Sequence, residues 1–92
     1  MNKTQLQLAS LSMDLKRVAL GFYRNSNSMA NRFIKESIKR SEEIDAKTLK
    51  PYIRRLLANL DSKFAQKDKQ KIAEDAMMYS ILFQNAALKL NL

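Results

Sequence analysis

The chain contains no histidine and no cysteine. Those two absences remove much of the usual catalytic repertoire. Histidine is the commonest general base and metal ligand, and thiolates supply many zinc sites and nucleophiles. A di-iron centre of the helical-bundle type is out of reach as well, because it needs Glu-x-x-His on paired helices. Without cysteine there is no disulfide framework, which fits a reducing compartment and a cytoplasmic location. The single glycine, Gly21, cannot build a phosphate-cradling loop. Its better use is to let two helices approach closely or to ease the chain into a turn. The carboxylates that remain grouped, Glu42-Glu43-Asp45 and Glu74-Asp75, fall near helix ends, where acids cap or stay solvated. The expectation is a protein that is not an enzyme and needs neither cofactor nor metal.

Structure breakers are equally scarce. One glycine and one proline in 92 residues favour long helices over many short strands. Valine and threonine are rare while Leu, Lys and Ala dominate, so intrinsic propensity agrees. A long apolar run is missing too. The greasiest stretch, AMMYSILFQNAALKLNL at 76–92, is interrupted by Ser80, Gln84, Asn85, Lys89 and Asn91 and is too short for a membrane span. The opening MNKTQLQLASLSM is broken by Gln and Ser every few residues, unlike the apolar core of a signal peptide.

What is present is helical periodicity. At about 100° per residue, Leu8, Leu11, Leu15, Val18, Ala19 and Phe22 share one face of a helix from Lys3 to Arg24. The segment RNSNS then turns, with Ser26 or Ser28 capping a second helix. There Met29, Ala30, Phe33, Ile34, Ile38 and Ile44 form the inward stripe. The pattern breaks at Asp45-Ala46-Lys47. Thr48 fits an N-cap with Pro51 in the first turn of a third helix, whose narrow apolar face is Leu49, Ile53, Leu56, Leu57, Leu60 and Phe64. Asp68 fits the cap of a last helix reaching Leu90, with Ile72, Ala76, Tyr79, Phe83, Ala86 and Leu90 toward the core. Short connections make neighbouring helices antiparallel. The predicted fold is all-α, an antiparallel up-down-up-down four-helix bundle forming one domain over residues 1–92.

The first and last helices have apolar surface left over. Met77, Ile81, Leu88 and Leu92 make a second stripe nearly opposite the core face of the last helix, at spacings of four, seven and four. Leu6, Met13 and Leu20 do the same on the first helix, every seven residues, with Ala9 between them. The first and last helices of such a bundle are neighbours, so the stripes merge into one patch, and contiguous patches of this kind mark interaction sites. A second copy of the chain or another protein is the expected occupant.

Charge is distributed unevenly. The net charge is +8, divided as +3 over residues 1–30, +6 over 31–71 and −1 over 72–92. A field of this sign attracts nucleic acid or an acidic protein. The candidate anion contacts are Arg32, Lys35, Lys39 and Arg40 on the second helix, Lys50, Arg54 and Arg55 on the third, and Lys67, Lys69 and Lys71 around the last connection. Arg24 adds a further base in the turn Tyr23–Ser28, which leads into a helix N-terminus whose free N–H groups and dipole favour phosphate. No zinc finger, glycine-containing helix-turn-helix or aromatic RNP strand is present to read bases, so contact is expected along the phosphate backbone. Small basic helical bundles occur as accessory subunits of nucleoprotein machines, a likeness of architecture alone. The functional expectation is a non-enzymatic accessory protein that self-associates or docks through the apolar stripe and presents its basic helices to RNA or DNA. The alternative is a protein-interaction module, such as an adaptor, inhibitor or immunity-type bundle, with no nucleic-acid role.

Overall fold

The structure is a computed structural model and describes residues 2–89. The described chain is all-helical, with four α-helices: α1 (Lys3–Tyr23), α2 (Asn27–Glu43), α3 (Pro51–Ala65) and α4 (Lys69–Lys89). A short 3-10 turn, Ala46–Thr48, lies between α2 and α3.

Local chemistry explains where each helix begins and ends. Asn2 and Gln5 form a reciprocal box at the start of α1: each backbone N–H donates to the other side chain at 2.8 Å. At its end the Ser26 N–H reaches back to the Gly21 carbonyl (2.7 Å) and the Asn25 N–H to that of Phe22 (3.1 Å). This is a Schellman closure, and it requires a left-handed residue. Asn25 fills that position with φ 57°. Gly21 is therefore not the turn residue. Asp68 caps α4 as predicted, its Oδ1 accepting the N–H groups of Gln70 (3.0 Å) and Lys71 (3.3 Å). Thr48 does not cap α3. It closes the 3-10 turn instead, its hydroxyl donating to the Asp45 carbonyl at 2.9 Å. The proline is the reason: the residue before it is driven out of helical geometry, so Lys50 is extended (φ −62°, ψ 149°) and α3 starts at Pro51.

Packing centres on α1, which lies against α4 along most of its length and against α2 on another side. Toward α4, the Ser80 hydroxyl donates to the Ser12 carbonyl (2.7 Å) and the Gln5 side-chain amide to that of Ala87 (3.0 Å). These bonds match the start of α1 with the end of α4. Half of the buried positions on α4 are small, Ala73, Ala76, Ser80 and Ala87, which lets the two backbones come close. Leu8, Leu11, Leu15, Val18 and Ala19 are fully buried, while Phe22 is half-buried.

The α1–α2 contact is tighter still at one point. A Cβ added to Gly21 would sit 2.7 Å from the Ala30 nitrogen and 2.9 Å from its Cα. Close helix packing is thus what the glycine provides. It also corrects the predicted stripe of α2, where Ala30 and Ser37 are the buried residues. Met29, Phe33, Ile34 and Ile38 are half-buried, because the helix axes approach too closely for large side chains to lie between them.

In contrast, α3 touches α4 and α2 only lightly. Ile53 and Leu60 are buried, and Leu49 and Ile44 from the connection join them, while Leu56, Leu57 and Phe64 stay partly open. The core divides into two clusters. One gathers the leucines of α1 with Ile53, Leu60, Tyr79 and Phe83; the other joins Val18 and Ala19 to Ile72, Ala73 and Ala76. Tyr79 meets Phe83 edge to face, with centroids 5.9 Å apart. On α4 the predicted core residues Ile72, Ala76, Tyr79 and Phe83 are buried. Ala87 is buried where Ala86 is only half so; Leu90 lies outside the described residues.

Two substitutions test this packing by urea denaturation. Gly21→Ala forces α1 and α2 apart and costs about 1–3 kcal/mol. Ser37→Ala raises stability by about 1 kcal/mol, since the Ser37 hydroxyl is buried with no hydrogen-bond partner among the described residues.

Candidate anion-binding surface and apolar seam

Of the eleven bases expected to meet anions, ten are exposed and Arg40 is half-buried. Arg32, Lys35 and Lys39 lie on α2; Lys50, Arg54 and Arg55 lie on or just before α3. Two of the eleven form ion pairs within the molecule. The Arg40 Nε–H donates to Asp14 Oδ2 at 2.8 Å, and Arg17 lies 3.5 Å from the same carboxylate. Asp14 is buried, so this pair ties α2 to α1 and the guanidinium is not a free surface group. Lys71 lies 3.5 Å from Asp75. That carboxylate is buried and also accepts the Gln66 side-chain amide at 2.8 Å. Burial first, and the Asp75 charge second, push the Tyr79 hydroxyl above its ordinary pKa.

Sequence reasoning missed Asp14 and its surroundings. Arg17 and Arg32 both lean over the Phe33 ring, each 5.3 Å from its centroid. Arg32 does this in place of an ion pair with Glu36, one turn along the helix. The available signal was Asp14 itself, the one acid in the first thirty residues of a strongly basic chain. Lys39 and Arg40 share a shallow pocket with Glu36 and Glu43, which lowers the positive potential on that part of α2.

The connections α1–α2 and α3–α4 meet at one end of the molecule. A cleft of about 360 Å³ lies between them, with Tyr23, Asn25 and Asn27 on one side and Lys69 and Gln70 on the other. The first turn of α2 faces this region without a side-chain cap, since Ser26 makes no capping bond. Arg24, Lys67 and Lys69 are exposed at the same end. Amide groups, a helix N-terminus and cations therefore converge there, which is the chemistry that holds a phosphate. The opposite end has an apolar cavity of about 220 Å³ floored by Leu8, Leu49, Ile53 and Leu82, with Lys50 and Lys89 at its rim.

The apolar stripes lie on α1 and α4 as expected from their spacing. Leu6 (53% exposed), Met13 (48%), Ile81 (52%) and Leu88 (63%) are open to solvent. Leu20 and Met77 are half-buried, the latter against the cluster around Val18 and Ile72. Leu92 lies outside the described residues. With Gln5 bonded to Ala87 and Ser12 to Ser80 on antiparallel helices, Leu6 lies within about a turn of Leu88 along the bundle, and Met13 within about a turn of Ile81. The seam lies on the side of the α1/α4 layer away from α2 and α3.

Among the described residues no three acidic side chains converge on a point where a metal could bind, and no helix is long and apolar enough to cross a membrane. The chain matches no known protein family, no curated protein and no solved structure.

The two kinds of base separate by denaturation. Arg40→Gln leaves Asp14 buried with a distant partner and lowers stability by about 1–2 kcal/mol. Lys35→Gln stays within about 0.5 kcal/mol of the parent.

Proposed function

We propose that the chain is a non-enzymatic accessory protein of the cytoplasm that docks through the α1/α4 seam and holds nucleic acid by its phosphate backbone. It forms a single domain with its helices in an antiparallel up-down-up-down order. That order is supported by the side-chain links from residue 5 to 87, 12 to 80 and 14 to 40. The observation that carries the functional reading is the segregation of the two surfaces. Most exposed cations lie on α2, α3 and the connections, with Lys3, Lys16, Arg17, Lys71 and Lys89 exposed on α1 and α4, while the exposed aliphatics Leu6, Met13, Met78, Ile81 and Leu88 all lie on α1 and α4.

Backbone binding has a definite signature. Neutralised phosphates release counterions, so affinity falls steeply as salt rises. The absence of a base-reading motif makes RNA and DNA of mixed sequence comparable ligands, with Arg54, Arg55 and the cluster of Arg24, Lys67 and Lys69 supplying charge. The lack of both histidine and cysteine supports a role without catalysis.

The test is fluorescence anisotropy with mixed-sequence RNA and DNA. Contact with about six phosphates lowers affinity by about a thousandfold between 50 and 200 mM salt. Arg54→Glu combined with Arg55→Glu weakens binding by about tenfold or more. Absence of binding at low salt, or binding indifferent to salt, rejects the nucleic-acid role. If the same double reversal instead abolishes capture of an acidic protein, the chain is an interaction module.

A further inference from the structure

We propose that the apolar cavity between the start of α3 and the end of α4 binds a small amphipathic anion, a single-chain carboxylate with a tail of about six to eight carbons. The site goes beyond the nucleic-acid role and shares with it one base, Lys50.

Three observations carry it. The first is the lining. α4 presents Leu82, Ala86 and Lys89 at helical spacing, α1 supplies Leu8, and the entry to α3 supplies Leu49 and Ile53. Leu8, Leu49 and Ile53 are buried at the floor, and Lys50 and Lys89 are exposed at the mouth. An apolar body with a few polar groups at one side is the usual construction of a small-ligand site. At about 220 Å³ the space is larger than the roughly 150 Å³ apolar cavity that takes up benzene.

The second observation is charge. No acidic side chain lines the cavity, and neither Lys50 nor Lys89 has an ion-pair partner among the described residues. Two cations from different elements therefore share one opening with nothing to neutralise them. Tyr52 and Asn85 lie beside them and carry groups able to donate hydrogen bonds. α3 begins here at Pro51 without a side-chain cap, so the positive end of its dipole adds to the same field. A bare inorganic anion would engage the lysines and leave the floor empty. A neutral apolar molecule would fill the floor and leave the lysines unmatched. An amphipathic anion meets both.

The third is access. α3 touches α4 and α2 only lightly. Among the described residues no side-chain hydrogen bond or ion pair joins it to another helix; Gln66, which reaches Asp75, lies beyond its end. α3 can therefore shift to admit a tail while Gln5 and Ser80 keep α1 and α4 in place. Once seated, the ligand fills space that the protein's own side chains leave open, and it fastens the helix that the bundle holds least.

The test is a titration of the full chain with butyrate, hexanoate, octanoate and hexan-1-ol, without nucleic acid, followed by calorimetry and methyl NMR. Affinity is expected to rise about threefold to fourfold per added methylene. The methyl signals of Leu8, Ile53 and Leu82 are expected to shift, and amide exchange in α3 to slow. Lys50→Gln with Lys89→Gln is expected to weaken hexanoate about fivefold to tenfold. The same pair leaves hexan-1-ol binding and the urea midpoint unchanged, which separates loss of charge from loss of fold. Absence of binding at about 10 mM octanoate, far above any useful affinity, overturns the proposal. So does hexan-1-ol binding as tightly as hexanoate, which describes a neutral void, or affinity indifferent to tail length, which describes surface ion pairing. Shifts confined to Leu6, Met13, Ile81 and Leu88 reject it as adhesion to the exposed stripe. Binding that appears only after deletion of residues 90–92 gives the cavity to the chain's own end and rejects it too.

Discussion

The close approach of α1 to its two neighbours governs the rest of the molecule. Small residues set the distance: Ala73, Ala76, Ser80 and Ala87 on the α4 side, Gly21 and Ala30 on the α2 side. Because the backbones nearly touch, the larger apolar side chains of α2 are pushed to the flanks and remain half-open. Leucines from the remaining arc of α1 fill the space that α3 covers. α3 itself adds little contact, and its looser seating follows from the same constraint, since α1 has already taken up two of the three other helices.

Polar groups inside this frame choose one arrangement among many. Leucine and alanine faces tolerate sliding along a helix, but Ser80 on the Ser12 carbonyl and Gln5 on that of Ala87 do not. Asp14 with Arg40 performs the same service between α1 and α2, and Asp75 with Gln66 at the α3–α4 connection. A half-turn slip would leave a buried carboxylate or amide without its partner, at a cost of several kcal/mol per charged group. Register, more than stability, is what these side chains secure.

Much of this was legible in the residue pattern, and the misses share a cause. Helix number and type, the Asp68 cap, the α1 core and the aliphatic seam all follow from period and propensity, which are local. The start of α3 was misplaced because Asp45 out-competed Thr48 and the residue before Pro51 could not turn. The α2 stripe was misjudged because size was read as burial. Whether a phenylalanine or an alanine lies at a contact depends on how near the neighbouring backbone comes, and that was set by Gly21, nine residues earlier. The buried side of Arg40 was invisible for the same reason. Its partner Asp14 is twenty-six positions away, and no local pattern distinguishes a base that points at phosphate from one that reaches across to another helix.

The pairing of the first helix with the last has a consequence for the order of synthesis. α1 leaves the ribosome early, yet the surface that covers its main side belongs to residues 69–89. At translation speeds of about 5–20 residues per second, some 66 further residues take about 3–13 s to follow. During that interval α2 and then α3 are the neighbours available to α1, and Val18 and Ala19 wait for Ile72, Ala73 and Ala76 of α4. The nascent chain can close its first hairpin at Gly21 and Ala30, but cooperative folding begins only when α4 has cleared the exit tunnel.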